Sequence, residues 1–438
     1  MAEKGRYHLV GAAGVGMSSV AQALAFEGHA VSGSDRYFDQ GQDVESIPKL
    51  MAGGIRFVKQ DGRGVTADTT GVVVSTAIED DNPDIRAARA LGVPVIHRAE
   101  MLARLMQDRS AVAVTGTCGK STVTGMMGWI LEQAGKDPTV VNGAPVLNWV
   151  APDRIGNARA GKSGLWVFEA DESDRSLMCY HPDWAVITNA SKDHFDMAAT
   201  LDLFRRFAGQ VRQGTLSAVD HPGFFTDMRI TPEAGGSRFV VDGTPFFLPL
   251  PGVHNAENAV LAALMCRTLG VALDRAAAAL RQFKGIQRRL ERVGEARGIV
   301  VMDDYAHNPA KIEASWQSLA PHAPRIFGIW RPHGYGPLSA MMNELVETFQ
   351  RVCRASDRLF ILPVYDAGGT ANRGVCADDL VGRLQSRIHC RHAEHVDALI
   401  ATLAAEALPG DVVVTMGARD PGLPLLARRI LAALDSRA

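Results

Sequence analysis

Short apolar runs alternate with helical patterns along the whole chain, which is typical of parallel sheets joined by crossover helices. Three blocks of this pattern follow one another. The first block predicts helices from Met17 to about Phe26, at Pro83–Leu91 and at Arg98–Leu105, and strands at Tyr7–Val10, Ala30–Ser32, Val72–Ser75 and Val93–Ile96. The last of its helices lies where the first block joins the second.

The other two blocks continue the alternation. The second predicts strands at Ala111–Thr115, Trp166–Glu169 and Ala185–Asn189, an antiparallel edge from Arg238–Val241 and Pro245–Leu250, and helices at Ser121–Gln133, His254–Leu269 and Asp274–Phe283. The third predicts helices near Pro309–Ala320, Ser339–Ala355 and Val396–Ala405 and strands at Ile299–Met302, Ile326–Ile329, Leu359–Leu362 and Val412–Thr415. A chain of 438 residues exceeds one hydrophobic core, so its length predicts two or three domains, and the pattern has three blocks. We therefore predict an α/β protein of three domains, each built on a mainly parallel sheet with flanking helices.

Composition and charge narrow the functional classes. With 47% hydrophobic and 21% charged residues the chain is not intrinsically disordered. Its 46 basic and 48 acidic residues give a net charge of -2, which does not indicate a nucleic-acid partner. No apolar run is long enough to cross a membrane, and the first residues lack the apolar core of a secretory signal. Six cysteines without metal-type spacing indicate reduced thiols and a cytoplasmic location.

The strongest chemical signal is VAVTGTCGKST at 112–122, a buried strand that runs through a glycine loop into a helix. The backbone N–H groups of such a loop and the helix N-terminus form an anion site, in which Lys120 neutralises phosphate and Ser121 offers a hydroxyl to Mg²⁺. Val114 stands where the longer form of this motif has glycine, so the match is to the shorter G-T-x-G-K-[ST] form. The alternative is a glycine-rich turn without a ligand.

Two polar segments follow the next predicted strands. Glu169–Asp174 is an acidic turn whose carboxylates could hold Mg²⁺, and the alternative is a solvated turn. His194 lies in the segment after the strand Ala185–Asn189, and the alternative is a structural histidine. The carboxyl ends of parallel strands are where open α/β sheets bind ligands, so both segments are expected beside the phosphate loop.

A second glycine loop opens the chain. HLVGAAGVGM at 8–17 has the spacing G-x-x-G-x-G, which differs from the dinucleotide fingerprint G-x-G-x-x-G and does not indicate nicotinamide binding. A diphosphate at the following helix N-terminus remains physically reasonable, and Asp35 at the end of the next strand could meet a ribose. Close packing of helix and strand would also require glycine.

Taken together, these motifs resemble the Mur ligase family over essentially the whole chain. Further matching blocks are VSGSD at 31–35, STAIEDDNPDIRAARALGVPVIHRAEML at 75–102, FEADESD at 168–174, ITNASKDHFD at 187–196, LPGVHNAENA at 250–259, GIQRRLERVG at 285–294 and DDYAHNP at 303–309. The resemblance implies a Rossmann-like domain that binds a UDP substrate at 1–105, a central P-loop ATPase-like domain that binds ATP at 106–293, and a Rossmann-like domain that binds an amino acid at 294–438.

The resemblance also implies a reaction and its partners. ATP and Mg²⁺ are the expected cofactors, and the expected substrates are small molecules, a UDP-muramoyl carboxylate and an amino acid such as L-alanine. The carboxylate would become an acyl phosphate that the amine then attacks, which makes the protein an acid–amino acid ligase of peptidoglycan synthesis. The chain is expected to be a monomer or homodimer without nucleic-acid or membrane partners. The alternatives are a relative that joins another amino acid or a peptide, and a non-catalytic nucleotide-binding partner.

Individual roles follow from the same resemblance. The implied catalytic residues are Lys120, Glu169, His194 and Arg288. The implied ATP contacts are Gly116, Thr117, Gly119, Lys120, Ser121, Thr122, Asn255, Arg288 and Asp304. The implied Mg²⁺ ligands are Ser121, Glu169 and His194. The UDP substrate would meet Gly14, Gly16, Met17, Asp35 and Ser75, and the amino acid would meet Tyr305, His307, Arg331 and His333.

The chain departs from the family pattern in four places. Cys118 replaces histidine in the phosphate loop, Ser121 replaces threonine and keeps the hydroxyl, and the central domain is short from 195 to 250. Two arginines of the family segment Pro-His-Arg-Tyr-Ser-Arg are absent, because Gly334 and Pro337 stand in their places. Arg331 or Arg373 could supply the missing positive charge, with Arg331 preferred.

Overall fold

The computed structural model describes residues 4–42, 44–191, 196–221, 225, 228–233, 235–366 and 373–436. These residues divide into two compact units. The first unit lies within Met1–Thr231, Arg238–Pro249 and His254–Ile286, and the second within Pro232–Ser237, Leu250–Val253 and Gln287–Ala438. The domain boundaries at residues 105 and 293 stay a prediction.

Strands and helices alternate as the apolar pattern predicts. The strands are β1 Arg6–Val10, β2 Ala30–Ser34, β3 Arg56–Phe57, β4 Gly71–Val74, β5 Val95–His97, β6 Ser110–Thr115, β7 Thr139–Val141, β8 Ala158–Arg159, β9 Leu165–Glu169, β10 Trp184–Ile187, β11 Gly214–Ser217, β12 Thr231–Glu233, β13 Gly236–Val241, β14 Thr244–Leu248, β15 Glu291–Ala296, β16 Ile299–Asp304, β17 Ile326–Trp330, β18 Arg358–Ile361, β19 Cys390–His392 and β20 Val412–Met416. The helices are α1 Val15–Phe26, α2 Arg36–Asp39, α3 Ser46–Ala52, α4 Pro83–Leu91, α5 Arg98–Leu105, α6 Lys120–Gln133, α7 Met197–Ala208, α8 Val253–Thr268, α9 Leu273–Leu280, α10 Pro309–Leu319, α11 Tyr335–Val352, α12 Ala377–Leu384, α13 Val396–Glu406 and α14 Gly422–Asp435.

The N-terminal sheet has the order β3-β2-β1-β4-β5, and all of its neighbouring strands are parallel. The strand order reverses between β1 and β4, which in an open α/β sheet is the point where ligands bind at the carboxyl ends. The glycine loop follows β1, Asp35 follows β2 and Ser75 follows β4. The topology therefore brings the residues predicted for the UDP substrate to one edge.

The second sheet has the order β11-β10-β6-β9-β7-β8 and is parallel except at the β7–β8 pair. Strand β6 lies between β9 and β10, so the phosphate loop emerges between the acidic turn and the segment at 188–191. Leu102 of α5 packs into the apolar cluster of this sheet together with Phe168 and Phe207. The helix predicted at the junction of the first two blocks thus belongs to the core of the first unit.

The third sheet has the order β15-β16-β20-β17-β18-β19, with only β15 antiparallel to its neighbour. Val412, Val414 and Met416 of β20 join the apolar cluster on one face, and Val413 joins the cluster on the other. A strand covered on both faces has a near-continuous apolar run, and in β20 four of the five residues are apolar, with Thr415 the exception. The predicted α/β fold class with three mainly parallel sheets is confirmed.

The antiparallel runs near residue 240 differ from their prediction. Strands β13 and β14 belong to a separate three-stranded sheet with β12 and do not form an edge of a six-stranded sheet. Asp242 and Gly243 join the two strands with φ values of 45° and 79°. Two successive residues with positive φ form the tight turn that suits a two-stranded hairpin, and Asp-Gly is a preferred sequence for it.

None of the described helices combines the length and the apolar character needed to cross a membrane. All six cysteines are free.

A buried polar network stabilises the N-terminal sheet. Asp84 accepts hydrogen bonds from Ser34 (2.5 Å), from the N–H of Gly62 (2.8 Å) and from His8 Nε2 (3.3 Å), and His8 Nδ1 lies 2.9 Å from Ser32 Oγ. Burial opposes the charge of Asp84, but its bonds with His8, Ser34 and Gly62 outweigh burial and lower its pKa. One carboxylate thus ties β1, β2 and the start of α4 together.

Asp84→Ala should destabilise the protein by about 3–5 kcal/mol, because its buried partners lose their acceptor. The stabilisation should be present above the ordinary carboxyl pKa of about 4 and lost as the pH falls through the lower folded value. Urea unfolding at pH 7 and at acidic pH measures both effects. Asp81→Ala, an exposed acid three residues away, is the control. Equal unfolding free energies for the two variants at pH 7 would contradict the role of the network.

Candidate functional site

The phosphate loop lies between the end of β6 and the start of α6, as predicted. Gly116 and Gly119 have φ values of 132° and 86°, a region that favours glycine. A Cβ atom at Gly119 would lie 2.5 Å from Asn258 Oδ1, and one at Gly116 would collide with Thr188. Both glycines are therefore required by conformation and by space, and the binding of phosphate by this loop stays a prediction.

The helix that follows the loop begins without a side-chain cap at its N-terminus. Its first N–H groups have no partner within the helix, which leaves them available to an anion. Ser121 and Thr122 are buried in this first turn, and Thr117 is buried in the loop. Asn255, predicted for adenine, is buried on α8 of the same unit, one turn from Asn258.

The segment after β10 holds the phosphate loop in place. The side chain of Asn189 accepts a hydrogen bond from the N–H of Cys118 and donates one to its carbonyl oxygen, both at 2.9 Å. The N–H of Ser191 donates to Thr117 Oγ1 at 3.0 Å, and Thr188 Oγ1 donates to the carbonyl of Cys118 at 2.5 Å. Sequence reasoning selected this segment for His194, which lies outside the described residues. Its described part instead fixes the backbone that would face phosphate.

Lys120 is paired with an acidic residue that the sequence did not single out. Its ammonium donates to Glu172 Oε2 at 2.6 Å and to the carbonyl of Gly116 at 2.9 Å. Burial disfavours the charged lysine, but Glu172, Asp171 and Glu169 outweigh burial and raise its pKa. The side chain of Glu172 is only 4% exposed, so the pair lies in a largely dehydrated place. The sequence of the acidic turn indicated carboxylates beside the phosphate loop. Spacing alone could not show which of its four acidic residues pairs with Lys120.

Glu169 is held by a different contact. Its Oε2 accepts a hydrogen bond from the N–H of Gly143 at 2.8 Å, and a side chain at Gly143 would collide with the carboxylate. The neighbouring Asn142 donates to the carbonyl of Ser121 at 3.1 Å. The turn at 142–143 therefore supports both Ser121 and Glu169, the hydroxyl and the carboxylate predicted for Mg²⁺.

This donor set suits a hard divalent ion, which prefers carboxylate and hydroxyl oxygens. Within the described part of the chain, no three His, Cys, Asp or Glu side chains cluster as a complete set of metal ligands. Mg²⁺ bound to nucleotide phosphates is usually held by only one or two carboxylates of the protein.

Arg98 connects the acidic turn with the first glycine loop. Its Nη2 donates to Asp171 Oδ2 at 3.1 Å, and its Nη1 lies 3.4 Å from the position of a Cβ atom on Gly16. Burial opposes the charge of Asp171, but Lys120 and Arg98 outweigh burial and lower its pKa. Arg98 was missed at the sequence level, where it was read only as the first residue of a helix.

The first glycine loop holds its predicted residues in different ways. Gly14 precedes α1 without a side-chain cap, while Met17 is buried in the N-terminal core. Both oxygens of Asp35 bind backbone N–H groups, those of Ala13 (3.0 Å) and Tyr37 (2.9 Å). Asp35 therefore positions the loop, and its predicted contact with a ribose stays a prediction.

In the second unit, Arg288 and Asp304 lie at the carboxyl end of β16. Arg288 donates to Asp303 Oδ2 (3.1 Å) and to the carbonyl of Gly417 (2.7 Å). Asp304 accepts from the N–H groups of Leu290 (2.8 Å) and Ala306 (2.7 Å), and burial raises its pKa to about 6. Both side chains brace the backbone around the strand end, and their contacts with ATP stay predictions.

The residues predicted for the amino acid come together at the same edge. The ring of His307 lies 5.6 Å from that of Tyr305 and 4.9 Å from that of His333. Burial lowers the pKa of His333 to about 4, with Arg419 and Lys311 adding to the effect, so this imidazole is neutral at pH 7. Arg331 already binds Asp420 at 2.6 Å, and Arg373 binds Asp366 at 2.9 Å.

Three family models match the chain in order. The catalytic domain of the Mur ligase family matches residues 6–110, the middle domain of Mur ligases matches 114–206, and the glutamate ligase domain of Mur ligases matches 288–419. The UDP-N-acetylmuramate–L-alanine ligase of Methylobacterium radiotolerans is 35% identical over an alignment of 457 positions that covers 94% of this chain and 94% of that one. The curated relative and this chain are thus similar over nearly their full lengths.

Solved structures share the fold. The structure of UDP-N-acetylmuramate-alanine ligase from Thermotoga maritima matches with a TM-score of 0.81 and 24% identity, over 98% of this chain and 99% of that one. A murein peptide ligase from Psychrobacter arcticus matches with a TM-score of 0.67 and 22% identity, over 99% of both chains. The ordered motifs predicted this result, and the family models together with the 35% identical relative show that the chain belongs to the Mur ligase family.

Proposed function

We propose that this ligase joins the carboxylate of UDP-N-acetylmuramate to the amine of L-alanine, with ATP as the energy source, in peptidoglycan precursor synthesis. The single observation that carries the proposal is the braced phosphate loop with Lys120, in a chain 35% identical over 94% of its length to a relative of that name. A carboxylate oxygen would attack the γ-phosphorus and release ADP. The amine would then attack the acyl carbon and release phosphate.

The contribution of the protein to such a reaction is positioning and charge neutralisation. Lys120 would bind the β- and γ-phosphates together with the backbone N–H groups of Gly116, Gly119 and α6. Asn255 would meet the adenine. The bonds from Asn189 and Ser191 keep the loop rigid, so little reorganisation would be needed when phosphate arrives.

Mg²⁺ would be held by Ser121 and Glu169, with His194 as a further ligand. The ion would supply positive charge beside the phosphates and the forming acyl phosphate. The bond from Gly143 fixes one oxygen of Glu169 and so orients its carboxylate. Because the N–H of Gly143 holds the carboxylate of Glu169 in one orientation, Glu169 is better suited to bind a metal ion than a residue of a solvated acidic turn would be.

The two substrates would use the other glycine loop and the third sheet. The UDP moiety would lie at Gly14, Gly16, Met17, Asp35 and Ser75, and the amino acid would lie at the sheet edge that carries Tyr305, His307, Arg331 and His333. We place the enzyme in the cytoplasm, as a monomer or homodimer. The loss of arginines at Gly334 and Pro337 favours one second candidate, a ligase that takes another amino acid or a peptide.

Phosphate release tests the function directly. Purified protein with ATP, Mg²⁺ and UDP-N-acetylmuramate should release phosphate when L-alanine is added and form the corresponding UDP-muramoyl-alanine, identified by mass. Each other amino acid, added in turn, is the comparison. Turnover with a different amino acid alone would replace L-alanine, and no turnover with any of them would refute the proposal.

Lys120→Ala should reduce kcat by about 10²–10³-fold while the fold is retained, because the charge that develops on phosphate loses its matched cation. Steady-state rates and circular dichroism measure the two properties. Lys136→Ala removes an exposed lysine beyond the other end of α6 and is the control. A Lys120 variant within threefold of the native rate would exclude the phosphate-loop assignment.

Glu169→Gln should raise the Mg²⁺ concentration needed for half-maximal activity more than it raises the KM for ATP. The amide keeps the shape of the side chain but removes the negative charge that a hard cation prefers. Mg²⁺ titrations at saturating ATP measure the change. An unchanged half-saturation point would show that the acidic turn is only solvated.

Glu172→Gln should tighten ADP binding by roughly fivefold, since a neutral amide competes less well than a carboxylate for Lys120, a difference of about 1 kcal/mol. Adenosine, which lacks phosphate, should bind equally to both proteins. Calorimetry with the two ligands measures this selectivity. Glu132→Gln, which alters the ion pair with Arg159 in the same unit, is the control. Weaker binding of both ligands would instead indicate that Glu172 only supports the fold.

A further inference from the structure

The loop at 417–421 occupies the centre of the third sheet's carboxyl edge. It follows β20, which lies between β16 and β17 in the sheet order. Tyr305 and His307 follow β16 on one side, and Arg331 and His333 follow β17 on the other. Ligands of open α/β sheets bind at the carboxyl ends of the strands, so this loop lies among the residues expected to meet the acceptor.

Arg419 has an unusual backbone in this loop. Its φ is 64°, in the left-handed region that glycine adopts freely and arginine disfavours. Strained residues of this kind persist where the surroundings fix them, and they concentrate at functional sites. The side chain of Arg419 is exposed, and within the described part of the chain it forms no hydrogen bond or ion pair. Its guanidinium is therefore available to a ligand.

Three other arginines near this edge are already engaged in hydrogen bonds or ion pairs, while Arg289 lies over the ring of Tyr305. Arg288 binds Asp303 and the carbonyl of Gly417. Arg331 binds Asp420 at 2.6 Å and donates to the carbonyl of Pro363 at 3.1 Å. Arg373 binds Asp366. Each of these three arginines would have to leave an existing partner before its guanidinium could bind a carboxylate through two N–H groups. Arg419 would not.

The surroundings of Arg419 also favour an anion. The neighbouring imidazole of His333 is neutral at pH 7, since burial lowers its pKa to about 4. The positive charges of Arg419 and Lys311 also lower this pKa. The carboxylate of Asp420, which follows in the chain, is engaged by Arg331 and by the N–H of Gly422. A free guanidinium in a positive local field attracts a carboxylate.

We propose that Arg419 binds the α-carboxylate of the amino acid acceptor and takes the role of the arginines absent at Gly334 and Pro337. The assignment rests on the proposed ligase function and names the group that selects a free amino acid. Because arginine binds a carboxylate through two parallel N–H donors, it orients the acceptor as well as holding it. Arg331 then supports the loop through Asp420 and does not bind the acceptor.

Arg419→Gly tests the assignment, because glycine removes the guanidinium and also suits the left-handed backbone. The KM for L-alanine should rise about ten- to a hundredfold, the loss expected for a charge-assisted hydrogen bond. The KM values for ATP and UDP-N-acetylmuramate should stay within twofold. The melting temperature should not fall, which separates a binding role from a structural one.

L-Alaninamide supplies the sharper comparison, because it presents the same amine and methyl group without the carboxylate. The native enzyme should use it with a raised KM, and Arg419→Gly should not raise that KM further. Arg387→Ala, at an exposed arginine before β19 and so at the opposite edge of the sheet, should leave every KM unchanged.

The outcomes separate this assignment from the ligase function. Equal KM values for L-alanine in the native and Arg419→Gly enzymes would overturn the assignment and leave the ligase standing. The assignment would also fall if Arg419→Gly raised the KM values for L-alanine and L-alaninamide by the same factor. It would fall as well if only Arg331→Ala raised the KM for L-alanine without raising the KM for L-alaninamide. Should another amino acid be the acceptor, it and its amide take the place of alanine in the same comparison. If the native protein ligates no amino acid, the proposed function and the assignment fail together.

Discussion

The conformation of the loop between β6 and α6 is the constraint on which the proposed chemistry depends. Two glycines take backbone conformations that other residues disfavour, and neighbouring side chains fill the space where their Cβ atoms would lie. Asn189 binds both polar backbone groups of Cys118, so the loop is held from outside as well as by its own geometry. An anion site made of N–H groups requires such rigidity, because each donor must already point inward when the anion arrives.

The acidic turn after β9 balances the charges around that loop. Three of its carboxylates each have a different partner. Glu172 binds Lys120, Asp171 binds Arg98, and Glu169 binds the N–H of Gly143. A buried lysine without an anion would be costly, and Glu172 provides one from within the chain. A phosphate bound at Lys120, as proposed, would compete with this ion pair or join it. The strength of nucleotide binding would then be set by a difference between two interactions and not by Lys120 alone.

Much of the fold and part of the site could be predicted from the sequence. Strands such as β6, β16 and β20 carry near-continuous apolar runs because both of their faces are covered, and this pattern is visible in the sequence. Short β7 and β19 and helix α14 were not identified, since two or three apolar residues, or a helix after a glycine-rich loop, give weak local signals. The phosphate loop was recognisable because its glycines and lysine are local in sequence. The pairs Lys120–Glu172 and Arg98–Asp171 were not, because tertiary packing selects one acid among several neighbours.

The backbone at Gly334 explains why the arginine that is absent there cannot simply be restored at the same position. Gly334 has a φ of 154° directly before α11, a conformation that disfavours arginine. An arginine restored at that position would strain the loop or move the helix start. The loop after β20 shows the reverse arrangement, with Arg419 in a conformation that suits glycine. An arginine therefore stands in the loop after the central strand and not at Gly334, so under the proposed assignment the same edge binds a carboxylate through a different loop.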